Sequence, residues 1–178
     1  RDLKPANIKI TPEGQVKILD FGLAKAMEGE MPATDLSQSP TLTHAATQAG
    51  VILGTAAYMS PEQARGEATD KKADVWAFGC VLFEMLTGRA TFGGKTVSDV
   101  LAGVLRIDPE WKSLPPNLHP QIRVLLERSL EKEAKDRYQG IADARVDIQK
   151  ALADQNGVLV QPTGDVVQAQ PRPILPRV

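Results

Sequence analysis

RDLKPANIKITPEGQVKILDFG, residues 1–22, arranges two carboxylates, one amide and one ammonium around a short hairpin. Asp2 is followed by Lys4 and, five positions on, by Asn7. Ile8-Lys9-Ile10 alternates like a strand. Thr11-Pro12-Glu13-Gly14 is a turn, because Pro pre-sets φ and Gly takes φ > 0 without a steric cost. Val16 to Leu19 is the returning strand. Such a hairpin carries Asp20 back beside Asn7, so Asp2, Lys4, Asn7 and Asp20 face one small volume. Hard oxygen donors suit Mg²⁺, which binds through few protein ligands plus substrate phosphates. An ammonium suits a phosphate as a point charge. The plainer alternative makes Asp2 and Asp20 ordinary loop and strand-end carboxylates, and it leaves their spacing across a strand-turn-strand unexplained.

R-D-L-K-P-A-N, then a hairpin, then D-F-G resembles the catalytic loop and metal-binding motif of the protein kinases. The resemblance implies that Asp2 accepts the proton of the substrate hydroxyl. It implies that Asn7 and Asp20 hold the Mg²⁺ ions that bridge the phosphates of ATP. Lys4, two residues after the aspartate, matches the serine/threonine-kinase form of the loop and would steady the transferred phosphoryl group. Phe21 would be a packing residue and Gly22 a hinge. The cofactors implied are ATP and Mg²⁺.

Residues 23–58 lack clear periodicity and carry Thr34, Ser37, Ser39, Thr41, Thr43 and Thr47, with no Lys or Arg between Lys25 and Arg65. A loop of that length in a compact domain is functional or disordered. By the resemblance it is the activation segment. Arg1 and Lys25 would then pair with a phosphate on it, with Thr43 and Thr47 as the expected phosphosites. The alternative leaves these hydroxyls the task of keeping a loop hydrated. Gly54-Thr55-Ala56-Ala57-Tyr58-Met59-Ser60-Pro61-Glu62 resembles the G-T-x-x-Y…A-P-E close of that segment, with Ser60 in place of the usual Ala. Thr55 would approach Asp2 and Lys4 and select serine or threonine acceptors. Glu62 would be structural, paired with Arg137, since an isolated buried carboxylate is too costly to desolvate. It also suits a first helical turn, behind Pro61.

Thr69-Asp70 reads as a helix start and Gly88 as a stop. From Val75 to Leu86 the only charge is Glu84. A helix apolar all round is a buried one, and twelve residues are too few to span a membrane. Asp74-Val75-Trp76-Ala77-Phe78-Gly79 resembles the start of the central buried helix of a kinase lobe. Asp74 would bind backbone N–H groups of the catalytic loop, a supporting role; otherwise it is a first-turn carboxylate. Trp76 is core and Cys80 an inert buried thiol. Thr96 caps a helix over 97–105 with Val97, Val100, Leu101 and Val104 on one face. Pro120 to Leu130 is a helix with Ile122, Leu125, Leu126 and Leu130 at helical spacing. Ile141, Ala144, Ile148 and Leu152 form the stripe of the last helix. His44 and His119 have no metal-ligand spacing and are assigned no chemistry. From Asp154 on, Gln-Pro-Thr-Gly and Gln-Pro-Arg-Pro read as a linker or tail.

The 178 residues suit one domain, and 42% apolar content is enough for a core. A net charge of −1 suggests neither nucleic-acid nor anionic-membrane partners. One cysteine, Cys80, excludes an internal disulfide and fits a reducing, cytoplasmic setting. No run of 18 apolar residues marks a transmembrane helix in this window. The glycine-rich phosphate loop and the V-A-I-K-type lysine of kinases are missing from the sequence; Gly93-Gly94 lacks their spacing.

The expectation is therefore an α+β, mostly helical fold: the large lobe of a protein kinase with a small antiparallel hairpin. Residues 1–153 form that lobe, the N-terminal lobe is absent, and 154–178 form a tail. The expected function is that of a bacterial-type serine/threonine protein kinase, moving the γ-phosphoryl group of ATP to Ser or Thr of protein substrates. The missing N-lobe, or a kinase dimer, is a further expected partner, and the fragment alone is expected to be inactive. Two alternatives stand beside it: an inactive kinase-like interaction module, and a small-molecule phosphotransferase sharing the D-x-x-x-x-N loop.

Overall fold

The structure, a computed structural model, describes residues 3–19 and 54–154. It opens with a 3-10 turn over Pro5–Asn7, then strands β1 (Ile8–Ile10) and β2 (Val16–Ile18). Among the described residues, a helical stretch at 54–56 is followed by α1 (Pro61–Ala64), α2 (Lys72–Thr87), α3 (Val97–Arg106), α4 (Pro120–Ser129) and α5 (Ile141–Ala153). The described chain is thus mostly helical beside one two-stranded antiparallel sheet.

The hairpin pairs Ile8 with Ile18, Lys9 with Lys17 and Ile10 with Val16. Its turn closes where expected. Gly14 sits at φ 78°, and its N–H donates to Thr11 O at 2.9 Å.

Each helix start has a local cause. Ser60 caps α1, with its hydroxyl accepting from Gln63 N–H and Gln63 Oε1 accepting from Ser60 N–H. Thr96 and Asp99 form the same reciprocal box at α3. His119 caps α4 through Nδ1, which accepts from Gln121 N–H at 3.1 Å. An accepting Nδ1 puts the ring proton on Nε2, which donates to Asp154 O at 2.6 Å. The histidine given no chemistry is thus a structural link between the start of α4 and the end of α5. Helix α2 begins at Lys72, just after the expected Thr69-Asp70 start signal, and the exposed Asp70 carboxylate accepts from Lys72 N–H at 2.7 Å. It stops at Gly88, φ 70°.

The core lies around α2. Trp76 and Phe92 stack at 5.5 Å between centroids and Phe83 meets Trp111 edge-on at 6.0 Å, which joins α2 to its flanking loops. Val75, Leu125, Tyr138 and Ala144 form a second cluster that joins α2 to α4 and α5. The expectation that the Val75–Leu86 helix is buried all round needs correction. Met85 is 76% exposed, since the described helices cover only the other sides of α2.

The stripe expected on α5 is also shifted. Ile141 and Leu152 are 49% and 70% exposed, while Ala144 and Ala151 are buried and Ile148 packs between them. The contact line runs 144, 148, 151, and the end turns fall outside the packing of α5 on α2 and α4.

At Gly79, α2 lies too close to the end of α4 to admit a side chain. A Cβ there would lie 2.9 Å from Ser129 Cβ and 3.0 Å from the Leu130 side chain. Gly79→Val is therefore expected to lower stability by about 1–3 kcal/mol through overpacking. The readout is the urea midpoint at unchanged m. A midpoint equal to that of the parent would show that the two helices can part without cost.

Among the described residues, no helix is long and apolar enough to cross a membrane.

Candidate active site

The 3-10 turn over Pro5–Asn7 presents the first site residues. Pro5 supplies a pre-set φ at its first position, and Asn7 N–H donates to Lys4 O at 3.0 Å. Asn7 is 7% exposed. A buried amide of that kind is held by partners rather than by water. Its carbonyl accepts from Leu19 N–H at 2.7 Å. Strand pairing therefore brings Leu19, the residue before Asp20, directly beside Asn7. This backbone bond is the described part of the convergence expected from the hairpin.

Lys4 reaches across to the other described segment. Its Nζ donates to Thr55 Oγ1 at 3.0 Å, over a separation of 51 residues. Thr55 sits in the helical stretch 54–56, which runs into a turn closed by Tyr58 N–H to Thr55 O and Met59 N–H to Ala56 O. Ala56 and Ala57 are buried against Val100 of α3, which seats the turn from behind.

Tyr58 donates its hydroxyl hydrogen to Glu84 Oε2. Burial, together with the Glu84 carboxylate, pushes the Tyr58 phenol well above its ordinary range, so it stays a donor. This pair escaped the sequence reading. The available signal was Glu84 itself, a lone charge in an apolar helix.

Glu62 and Arg137 lie 75 residues apart and meet in a bidentate pair. Arg137 Nη1 donates to Glu62 Oε1 and Nη2 to Glu62 Oε2, both at 2.8 Å. The remaining donors go to Glu131 O at 2.8 Å, Lys132 O at 3.0 Å and Lys72 O at 3.3 Å. All five guanidinium N–H groups are thereby used. The guanidinium carbon also lies 5.0 Å from the Trp76 ring centroid. Burial would raise the Glu62 carboxyl, but the Arg137 bonds, with help from the backbone and Ser60, outweigh it and hold the pKa below 4.5.

The sign of the pH effect follows from that depressed pKa. The pair's stabilisation is present above pH 4.5 and is lost as pH falls below it. Stability is expected to fall as pH drops from the ordinary glutamate range through the lowered value of Glu62. Glu62→Gln should flatten this limb of the stability–pH curve, and an unchanged limb would place the titration elsewhere.

Asp74 lies half-buried in the first turn of α2. Cys80 is fully buried, and burial pushes its thiol up to about 12, which fits an unreactive group. Arg1, Asp2, Asp20, Phe21, Gly22, Lys25, Thr43 and Thr47 lie outside the described residues, as does His44. Among the described residues no group of three or more His, Cys, Asp or Glu is set to hold a metal ion. Of the two expected magnesium ligands, Asn7 is described, and its strand neighbour leads directly into the other.

A two-stranded hairpin with a mostly helical chain, a lysine of the loop bonded to a threonine 51 residues on, and a buried Glu–Arg pair are the features expected of a kinase-type domain. Comparison with known proteins agrees. The family model described as protein kinase domain matches residues 1–152, and the chain belongs to that family. It is 38% identical over 156 residues to a probable serine/threonine-protein kinase of Streptomyces coelicolor, covering 87% of this chain and 21% of that protein. It is 39% identical over 153 residues to the serine/threonine-protein kinase PknB of Mycolicibacterium smegmatis, covering 83% and 22%. The Mycobacterium tuberculosis PknB is 38% identical with the same coverage. The resemblance to bacterial serine/threonine kinases read from the motifs is therefore borne out. The chain spans about a fifth of the length of these curated relatives.

Proposed function

We propose that this chain carries the phosphoryl-transfer half of a serine/threonine protein kinase that acts on protein substrates in the cytoplasm. The observation that carries the reading is the Lys4–Thr55 bond, 3.0 Å long. It joins the catalytic-loop motif to the segment that would receive the acceptor hydroxyl. In this reading residues 1–153 are the large lobe and 154–178 a tail.

The chemistry is mostly positioning and charge stabilisation. Asp2 accepts the proton of the attacking Ser or Thr hydroxyl. The Lys4 ammonium lies along the path of the transferred group and offsets its negative charge. Thr55 holds Lys4 in place and lines the acceptor side, which favours an aliphatic hydroxyl. Asn7 and Asp20 supply oxygen donors for Mg²⁺, which when bound neutralises charge on the ATP phosphates. The buried amide of Asn7, tied by backbone to the strand leading to Asp20, fits such a hard-oxygen pair. Glu62, Arg137 and Asp74 support the loop from below. Arg1 and Lys25 would receive a phosphate placed on Thr43 or Thr47.

The test is transfer of labelled phosphate from ATP to a generic Ser/Thr substrate. The 178-residue chain is run beside one that also carries, upstream, a glycine-rich loop and its nucleotide-binding lysine. Transfer by the extended chain alone supports the reading, with nucleotide capture supplied from outside this window. Failure of both while both are folded supports an interaction module instead.

A further inference from the structure

Lys132 has entered the site so far only through its carbonyl, which accepts from Arg137, yet its side chain is also tightly held. It lies in the turn between α4 and the 3-10 turn Ala134–Asp136. Its Nζ donates to Ile107 O at 2.7 Å and Val104 O at 2.8 Å, and reaches Gly103 O at 3.5 Å. These carbonyls close the C-terminal end of α3, where the helix dipole favours a cation. The same ammonium lies 4.2 Å from the Phe92 ring centroid and 5.1 Å from that of Trp76. Both ring faces favour positive charge. The Lys132 carbonyl in turn accepts from Arg137 Nη2 at 3.0 Å. One residue is thus bound by its backbone to the Glu62–Arg137 pair and by its ammonium to the end of α3.

The inner face of α3 meets the acceptor side of the site. Val100 packs on Ala56 and Ala57, with Val97 and Leu101 beside it. Tyr58 of the same segment packs in this cluster too, so a shift of α3 is passed directly to residues 56–58. α3 is held by Val104, which is buried in the core cluster around α2, and at its C-terminal carbonyls by Lys132. Ala56 directly follows Thr55, whose hydroxyl receives Lys4.

We infer that Lys132 is a positioning residue: it locks α3 to the Glu62–Arg137 pair and thereby holds the Thr55 turn where Lys4 meets it. The inference rests on the reading of Lys4 and Thr55 as parts of a phosphoryl-transfer site, but the mechanical link is measurable without any activity. A local helix cap would act on α3 alone. A positioning link must be felt at residues 55–59, which Lys132 does not touch.

The test is hydrogen exchange on the 178-residue chain. The reporters are the Tyr58 and Met59 amides, which donate to Thr55 O at 3.1 Å and Ala56 O at 3.3 Å. Lys132→Met keeps the stem and removes the donors. It is expected to speed exchange at both reporters by about fivefold, with the amides of α5 unchanged. Lys132→Arg, which keeps charge and donors, is expected to return both to the parental rate. Acceleration confined to the last turn of α3 would reduce Lys132 to a cap and overturn the inference. Equal acceleration in α5 would mean general loosening and would overturn it too. Lys132→Gln, a milder change read in the same way, guards against failure of the methionine variant to fold. If the reporters respond as expected while no chain transfers phosphate, the mechanical link stands and the proposed function falls.

Discussion

Arg137→Met is expected to lower the unfolding free energy by about 3–5 kcal/mol, the range found when one partner of a buried ion pair is removed. The guanidinium side chain has no exposed surface and the Glu62 side chain is 9% exposed. The substitution strands a buried carboxylate that water reaches poorly. It also strips donors from the carbonyls of Glu131, Lys132 and Lys72. The pair as a whole need not be worth that much, because desolvating two charges offsets most of their attraction. The double variant Glu62→Met with Arg137→Met should accordingly lose less than the sum of the two single variants. Denaturant unfolding of the four proteins provides the cycle. A single-variant loss under about 1 kcal/mol would show the pair behaving like an exposed one.

Asp2→Asn is expected to reduce phosphoryl transfer about 10²- to 10⁴-fold, the usual contribution of a positioned general base. The chain to use is the one that also carries the upstream nucleotide-binding motifs. An amide cannot take up the hydroxyl proton, yet it occupies the same space, so ATP affinity should stay close to parental. That split between rate and binding is what separates a base from a nucleotide ligand. Asp20→Asn should show the opposite pattern, with a raised Mg²⁺ requirement. Near-parental transfer by Asp2→Asn would remove the base role from Asp2 while leaving the kinase activity itself standing.

The two effects are linked through the fold. The Glu62–Arg137 pair anchors the segment that ends in α1, and Thr55 lies seven residues before Glu62 in the same segment. A loss of the pair is therefore a loss of the surface against which Lys4 is held.

Local elements were legible because their causes are local. The hairpin turn needs only Thr11 and Gly14, and the α3 start only Thr96 and Asp99. The catalytic-loop motif is legible for the same reason, since its residues lie within one short stretch. The exposed Met85 and the shifted α5 stripe were not legible, because periodicity marks a face and does not say how much of it a neighbour covers. Tyr58–Glu84 and the Lys132 hydrogen bonds span 25 to 29 residues and leave only a weak trace or none in the sequence.

The sequence by itself determined the family, the order of helices, and the set Asp2, Lys4, Asn7 and Asp20 as the residues to test. It even indicated that Glu62 needs a partner, since a buried carboxylate cannot stand alone. Only the tertiary structure decided that all five donors of Arg137 are spent there, and that Lys132 ties the same pair to the far end of α3. Those facts depend on where distant backbone carbonyls come to rest. Every residue carries a carbonyl, so no pattern of side chains along the chain encodes which of them a lysine will find.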